Sequence, residues 1–217
     1  MTGMRLEEMG SRLVDDIKER DGIAFIEVHG RGEGQSVKTE GSRREVPIHS
    51  ELVRLGFLHY VKHVRAGRHQ RLFPDLRRAG SAVQKGKATK TFSHWWGRWM
   101  ESELKITDPG LVFHSFRHAF KRFARDAEIN TEIHDLLTGH SSGTVGSTYG
   151  KGASIKTLKA AIEKIRFAEL MPALPPWGSA RGRSRGHEAP PLAVDLVAQR
   201  VTVSDAGATS EPFQTAA

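Results

Sequence analysis

Residues 114–140 read HSFRHAFKRFARDAEINTEIHDLLTGH. Phe116, Phe120, Phe123 and Ala127 recur at helical spacing and form one apolar stripe. On a wheel of about 100° per residue, His114, Arg117, His118, Lys121 and Arg125 fall on the opposite side. His114 and Arg117 stand three apart, so their side chains are neighbours. An ordinary amphipathic helix with a solvated basic face would read the same way. The second half is more particular. Asn130 starts a short helix holding Ile133, Leu136 and Leu137, and Gly139 suits the left-handed position that ends one. His140 then lies immediately past a rigid turn. Tyr149 follows nine residues on, one of two tyrosines in the chain.

Working outward, Arg5 to Leu13 reads as a helix that ends before Gly22. Ile23–Val28 reads as a strand, and Ser36–Thr39 and Arg43–Ile48 as two more around Gly41, together a small antiparallel sheet. Gly30, Gly32 and Gly34 make a flexible turn rather than a phosphate-binding loop, because no strand–helix unit surrounds them. Ser50 caps a helix running to about Arg65. A further helix holds Phe92, Trp95, Trp96 and Trp99, tryptophans more often found in a core than as base-stacking platforms. The last helix runs from Ser154 to about Leu170. Its Ile155, Leu158, Ile162 and Ile165 form a narrow stripe that could dock on its own domain or on a neighbour. The fold class is α+β, mostly helical, with one small antiparallel sheet of about three strands.

The chain has 217 residues and 38% hydrophobic residues, enough for one domain with a real core. Wholesale disorder and a coiled-coil rod are excluded. No apolar run approaches the ~18 residues of a membrane span, and the first residues lack the apolar segment of a secretory signal. With no cysteine there is no disulfide, thiolate metal site or cysteine nucleophile. Residues 172–191 hold five prolines and three glycines and read as a linker, and 192–217 as a disordered tail. From Pro175 onward four Lys/Arg balance four Asp/Glu, so the net charge of +8 belongs to the folded part. A basic globular body favours a polyanionic partner, nucleic acid first. A mildly basic soluble domain would carry the same charge. His59 and His63, four apart on a helix, lack a third ligand and make no metal site.

HSFRHAF, then LTGHSS, then STYG resemble the C-terminal signature of the tyrosine recombinases, the phage-integrase family. TGMRLEEM at residues 2–9 is similar to that family's first arginine motif, which supplies Arg5. VKTEGSRREVPI at residues 37–48 is similar to its hairpin lysine region, which supplies Lys38. The resemblance covers about Thr2 to Met171. It implies a DNA breaking–rejoining fold with Arg5, Lys38, His114, Arg117, His140 and Tyr149 as catalytic residues. Glu8, His118 and Gly139 would support them. Tyr149 would attack a DNA phosphodiester and become joined to the 3′-phosphate. The two arginines would hold the phosphate, the histidines would move protons near the nucleophile, and Lys38 would protonate the leaving oxygen. The resemblance implies no cofactor, no metal and no ATP.

By the same resemblance the partner is double-stranded DNA. Residues 154–171 would join protomers into a tetramer on paired sites, in a cytoplasmic, bacterial or phage-encoded enzyme of a mobile element. Family members carry an N-terminal helical domain and further catalytic helices before the first arginine, whereas the match begins at residue 2. The expectation is an N-terminally truncated catalytic domain over 1–171, with a half-open groove and exposed apolar surface near Arg5. The alternative is a catalytically weak or inactive DNA-binding remnant of an integrase.

Overall fold

The computed structural model describes residues 2–31, 35, 42–76, 89–140, 153–167 and 176–178. A short helix α1 (Leu6–Gly10) leads through a 3-10 turn at Val14–Asp16 into a sheet of β1 (Ile17–Arg20), β2 (Ile23–Val28) and β3 (Arg44–Pro47). The order is β1-β2-β3, antiparallel throughout, with Ile26 facing Ile17 on one side and Val46 on the other. Helices α2 (Ser50–Arg54), α3 (Phe57–Ala66), α4 (Lys90–Ser102), α5 (Ser115–Asp126), α6 (Thr131–Thr138) and α7 (Ile155–Ile162) complete the described elements. The α+β class with one three-stranded sheet is as expected, but the strands differ. β1 was not foreseen, and Ser36–Thr39 lies outside the described residues. Asp21 and Gly22 both take positive φ, 53° and 72°, the two-residue turn that joins β1 to β2.

Three other expectations are corrected. Ser50–Arg65 is two helices, because Gly56 takes φ 84° and breaks the run. The first is capped by His49 rather than Ser50, and the His49 Nδ1 accepts the Glu51 N–H at 3.0 Å. The last helix ends at Ile162, although Ile165 and Phe167 stay buried beyond it. On α5 the buried residues are Arg117, Phe120 and Ala124, while Phe116 is 49% exposed. The wheel drawn from polarity alone put Arg117 on the wrong side.

One core joins Phe120 and Ala124 of α5 to Leu137 of α6 and to Leu158 and Ile162 of α7. The α7 stripe therefore docks on its own chain. A second core packs Met4 against Ile26, Val28, Val46 and Ile48 of the sheet. Each fully buried aliphatic side chain contributes about 1.5–3 kcal/mol, so the first core binds the three helices to one another and the second seats the segment before α1 on the sheet. The tryptophans of α4 pack on one another and on Phe92, and Trp96 meets Phe113 edge-on, but Trp95 remains 40% exposed. The exposed large apolar side chains among the described residues are Val53, Trp95, Val112, Phe116 and Trp177. None of them lies on α1. Trp177 donates its backbone N–H to the Leu55 carbonyl at 2.8 Å and packs against Tyr60 and His63.

Candidate active site

Arg5 occupies the N-cap position of α1. Its backbone N–H donates to Glu8 Oε2 at 2.9 Å, and its Nη1 donates to Glu8 Oε1 at 2.6 Å. Glu8 sits three residues into the helix, where a carboxylate reaches back to the cap. It is buried, and Arg44 Nη2 meets its other oxygen at 2.8 Å. Burial pushes the Glu8 pKa up, but the bond and charge of Arg44 and the bonds from Arg5 outweigh it, leaving a value of about 2. Glu8 is therefore an anion at any working pH, and Arg5 is fixed with 29% of its side chain exposed.

Arg117 is 6% exposed. Its Nη1 donates to the Gly3 carbonyl at 2.5 Å and its Nη2 to the Thr138 carbonyl at 2.7 Å. Those acceptors lie just before Arg5 and just before Gly139, so one guanidinium joins both motifs. The Thr138 carbonyl is free to accept because the last carbonyls of a helix have no partner within it. Burial first, and then the charge of Arg5, lower the Arg117 pKa to about 10. Gly139 ends α6 at φ 65°, as expected, and turns the chain so that His140 follows.

His114 caps α5 and is exposed, with its ring 5.1 Å from that of His118. Its pKa is lowered by burial of part of the ring, then by His118, Arg117 and Arg5. His140 is lowered by burial, then chiefly by Arg117, with Lys121 and Arg5 adding to the effect against Asp135. Both imidazoles are thus biased toward their neutral forms. Arg5 acts on Arg117, His114 and His140 alike, so four of the six expected catalytic residues lie within electrostatic reach of one another. Glu8 and Gly139 brace the cluster, and His118 touches it through His114. Lys38 and Tyr149 lie outside the described residues.

Two features escaped the sequence reading. The Arg44 side chain is buried and binds Glu8 and the carbonyls of Ser42 and Leu137. Strand alternation could have found it, because Arg44 shares a face with Val46 and Ile48, both in the core. Arg12 is fully buried at the end of α1. It donates to the carbonyls of Glu8, Glu27 and His29 and pairs with Asp16 at 3.4 Å. Asp16 in turn meets His29 and accepts from Gln35. This network ties α1 to the end of β2, at Glu27 and His29, and to Gln35; Lys38 follows three residues later in the sequence.

Among the described residues there is no cluster of three or more His, Asp or Glu able to hold a metal, and no helix long and apolar enough to cross a membrane. A family model described as the phage integrase family matches residues 1–153. No curated protein and no solved structure matches the chain.

Proposed function

The chain belongs to the phage integrase family of site-specific DNA recombinases, and on that premise we propose that it cuts and rejoins DNA through a covalent bond to Tyr149. The observation that carries this reading is that Arg5, Arg117, His114 and His140, drawn from both ends of the matched region, lie within electrostatic reach of one another. A phosphodiester under attack gathers negative charge on its non-bridging oxygens. Guanidinium groups match that geometry with paired N–H donors, and each such donor is worth about 3–4 kcal/mol of barrier. Tyr149 Oη forms a bond to phosphorus while the bond from phosphorus to the 5′-oxygen breaks. The phenol proton passes to a neutral imidazole of His114 or His140, a form their lowered pKa values favour. Lys38 returns a proton to the leaving oxygen. The reverse attack by a 5′-hydroxyl reseals a strand, since the covalent link preserves the bond energy.

Membership of the family implies DNA as the partner. Assembly of a tetramer on paired sites through residues 154–171 is part of the proposal. Because the apolar stripe of α7 is buried in its own chain, protomers would meet through the outer face of that segment, which carries Lys156 and Lys164.

The test mixes the full chain with a nicked duplex in the presence of a chelator. A protein–DNA adduct is expected, and Tyr149→Phe is expected to abolish it while sparing binding. Cutting retained by Tyr149→Phe, or binding by the unaltered chain without any adduct, would overturn the reading; the latter result is that of a DNA-binding remnant. Binding should weaken steeply with salt, because each neutralised phosphate releases counterions.

A further inference from the structure

We propose that Arg44 is a positioning residue of the cleavage reaction, a buried clamp that fixes the distance between Arg5 and the His140 turn so that both meet one phosphate. The inference rests on the recombinase reading of the site and assigns a role to a residue outside the six expected catalytic positions.

Arg44 opens β3, and its side chain is 5% exposed. Its guanidinium works in three directions. Nη2 donates to Glu8 Oε2 at 2.8 Å. Nε donates to the Leu137 carbonyl at 2.9 Å. Nη1 donates to the Ser42 carbonyl at 2.9 Å, within its own strand approach. Glu8 passes the restraint to Arg5 through its other oxygen. The result is a continuous line from Arg5 through Glu8 and Arg44 to the last turn of α6. That line crosses three elements, and beside it Arg117 makes a second directed tie between the Gly3 carbonyl and the end of α6; directed bonds resist sliding more than apolar packing does.

The α6 end is built around the clamp. Leu137 and Thr138 offer successive carbonyls, the first to Arg44 and the second to Arg117. Two arginines thus share the end of one helix, where cations are favoured by the helix dipole. Gly139 completes the fit. A Cβ there would stand 2.6 Å from Arg44 Nη1, so the turn before His140 closes directly onto the guanidinium. A planar fork is required for this task, and a lysine would supply charge to Glu8 but no second arm to Leu137.

The experiment compares the full chain with Arg44→Lys. Adduct formation on a nicked duplex is followed in single turnover at saturating protein, and affinity for the same duplex is measured by anisotropy. The rate at saturation should fall at least about ten-fold, because small misplacements of catalytic groups are that costly. Affinity per folded molecule should stay within about two-fold, since a buried clamp touches no phosphate. The His140 ring resonances should move while those of His63 do not. If Arg44→Lys loses its fold, Arg44→Gln carries the same comparison, keeping a planar donor without the charge. An unchanged saturated rate, or a fall matched by the loss of affinity or of folded protein with His140 unmoved, would overturn the role. An unaltered chain that gives no Tyr149-dependent adduct defeats the recombinase reading instead, and Arg44 is then judged on the His140 resonances alone.

Discussion

Replacing Gly139 with alanine tests two separable features of the turn before His140. The first is conformational: φ is 65°, and an L-residue there costs about 1–2 kcal/mol. The second is a collision. The new Cβ would lie 2.6 Å from Arg44 Nη1 and 3.0 Å from its Cζ. Arg44 cannot swing aside freely, because its ends are held by Glu8 and Leu137. Breaking a buried ion pair outright costs about 3–5 kcal/mol, and a partial displacement takes a share of that. A total near 3–5 kcal/mol follows, about 6–20 °C in melting midpoint for a chain of this size. Urea unfolding followed by tryptophan fluorescence measures it. In an Arg44→Met background the collision partner is gone, and only the backbone cost of about 1–2 kcal/mol should remain. Gly139→Asn is the complementary control, since asparagine tolerates the left-handed region but carries the same Cβ. Equal losses for Gly139→Ala in both backgrounds would refute the collision.

Two further outcomes concern stability. Burial lowers the pKa of His49 below its ordinary 6.5, with Lys159 acting the same way and Glu163 and the Ile165 carbonyl acting against it. The unfolded chain therefore takes up a proton that the folded chain excludes, so stability is full above about pH 6.5 and declines as pH falls through it. Urea midpoints between about pH 7.5 and 5.5 should show this decline, and His49→Asn, which keeps a capping acceptor, should flatten part of it. Arg12→Met should cost about 3–5 kcal/mol, because it removes a fully buried cation that pairs with Asp16 and serves three backbone carbonyls; a loss below about 1 kcal/mol in urea unfolding would show the network to be dispensable.

The sequence disclosed most where local rules act alone. Asn130 and Gly139 bracket α6 as capping chemistry requires, and the turn they build places His140. It disclosed least where polarity and position disagree. Ile17–Arg20 has one apolar residue in four, so no alternation marks β1; the signal was the Asp21-Gly22 pair beside it. Arg117 and Arg44 were concealed by the same cause. A charged side chain on a helical wheel or a short strand reads as solvated, yet both arginines lie inward because backbone carbonyls and Glu8 satisfy them there. Such acceptors come from distant parts of the chain and leave no trace in spacing. The break at Gly56 was equally hidden, since the apolar residues on either side continue one helical period.

On the proposed mechanism, the two kinds of partner given to the arginines would keep the cluster ready for an anion. Arg5 and Arg44 share the buried carboxylate of Glu8, which holds them in place. Arg117 is held instead by two neutral carbonyls. A carboxylate in their place would orient Arg117 equally well, but it would cancel the charge that a phosphate is meant to meet and would repel the phosphate itself. Carbonyl dipoles orient without neutralising. The cost of that choice is visible in the Arg117 pKa of about 10, the mark of a cation buried beside other cations. The cost is tolerable, since a group with that pKa is still protonated by about a thousand to one near neutrality. Glu8 therefore anchors the geometry while Arg117 keeps the unspent charge. On the proposed mechanism an approaching phosphodiester would then find positive charge already in place and only partly compensated, the condition under which preorganised electrostatics lowers a barrier most.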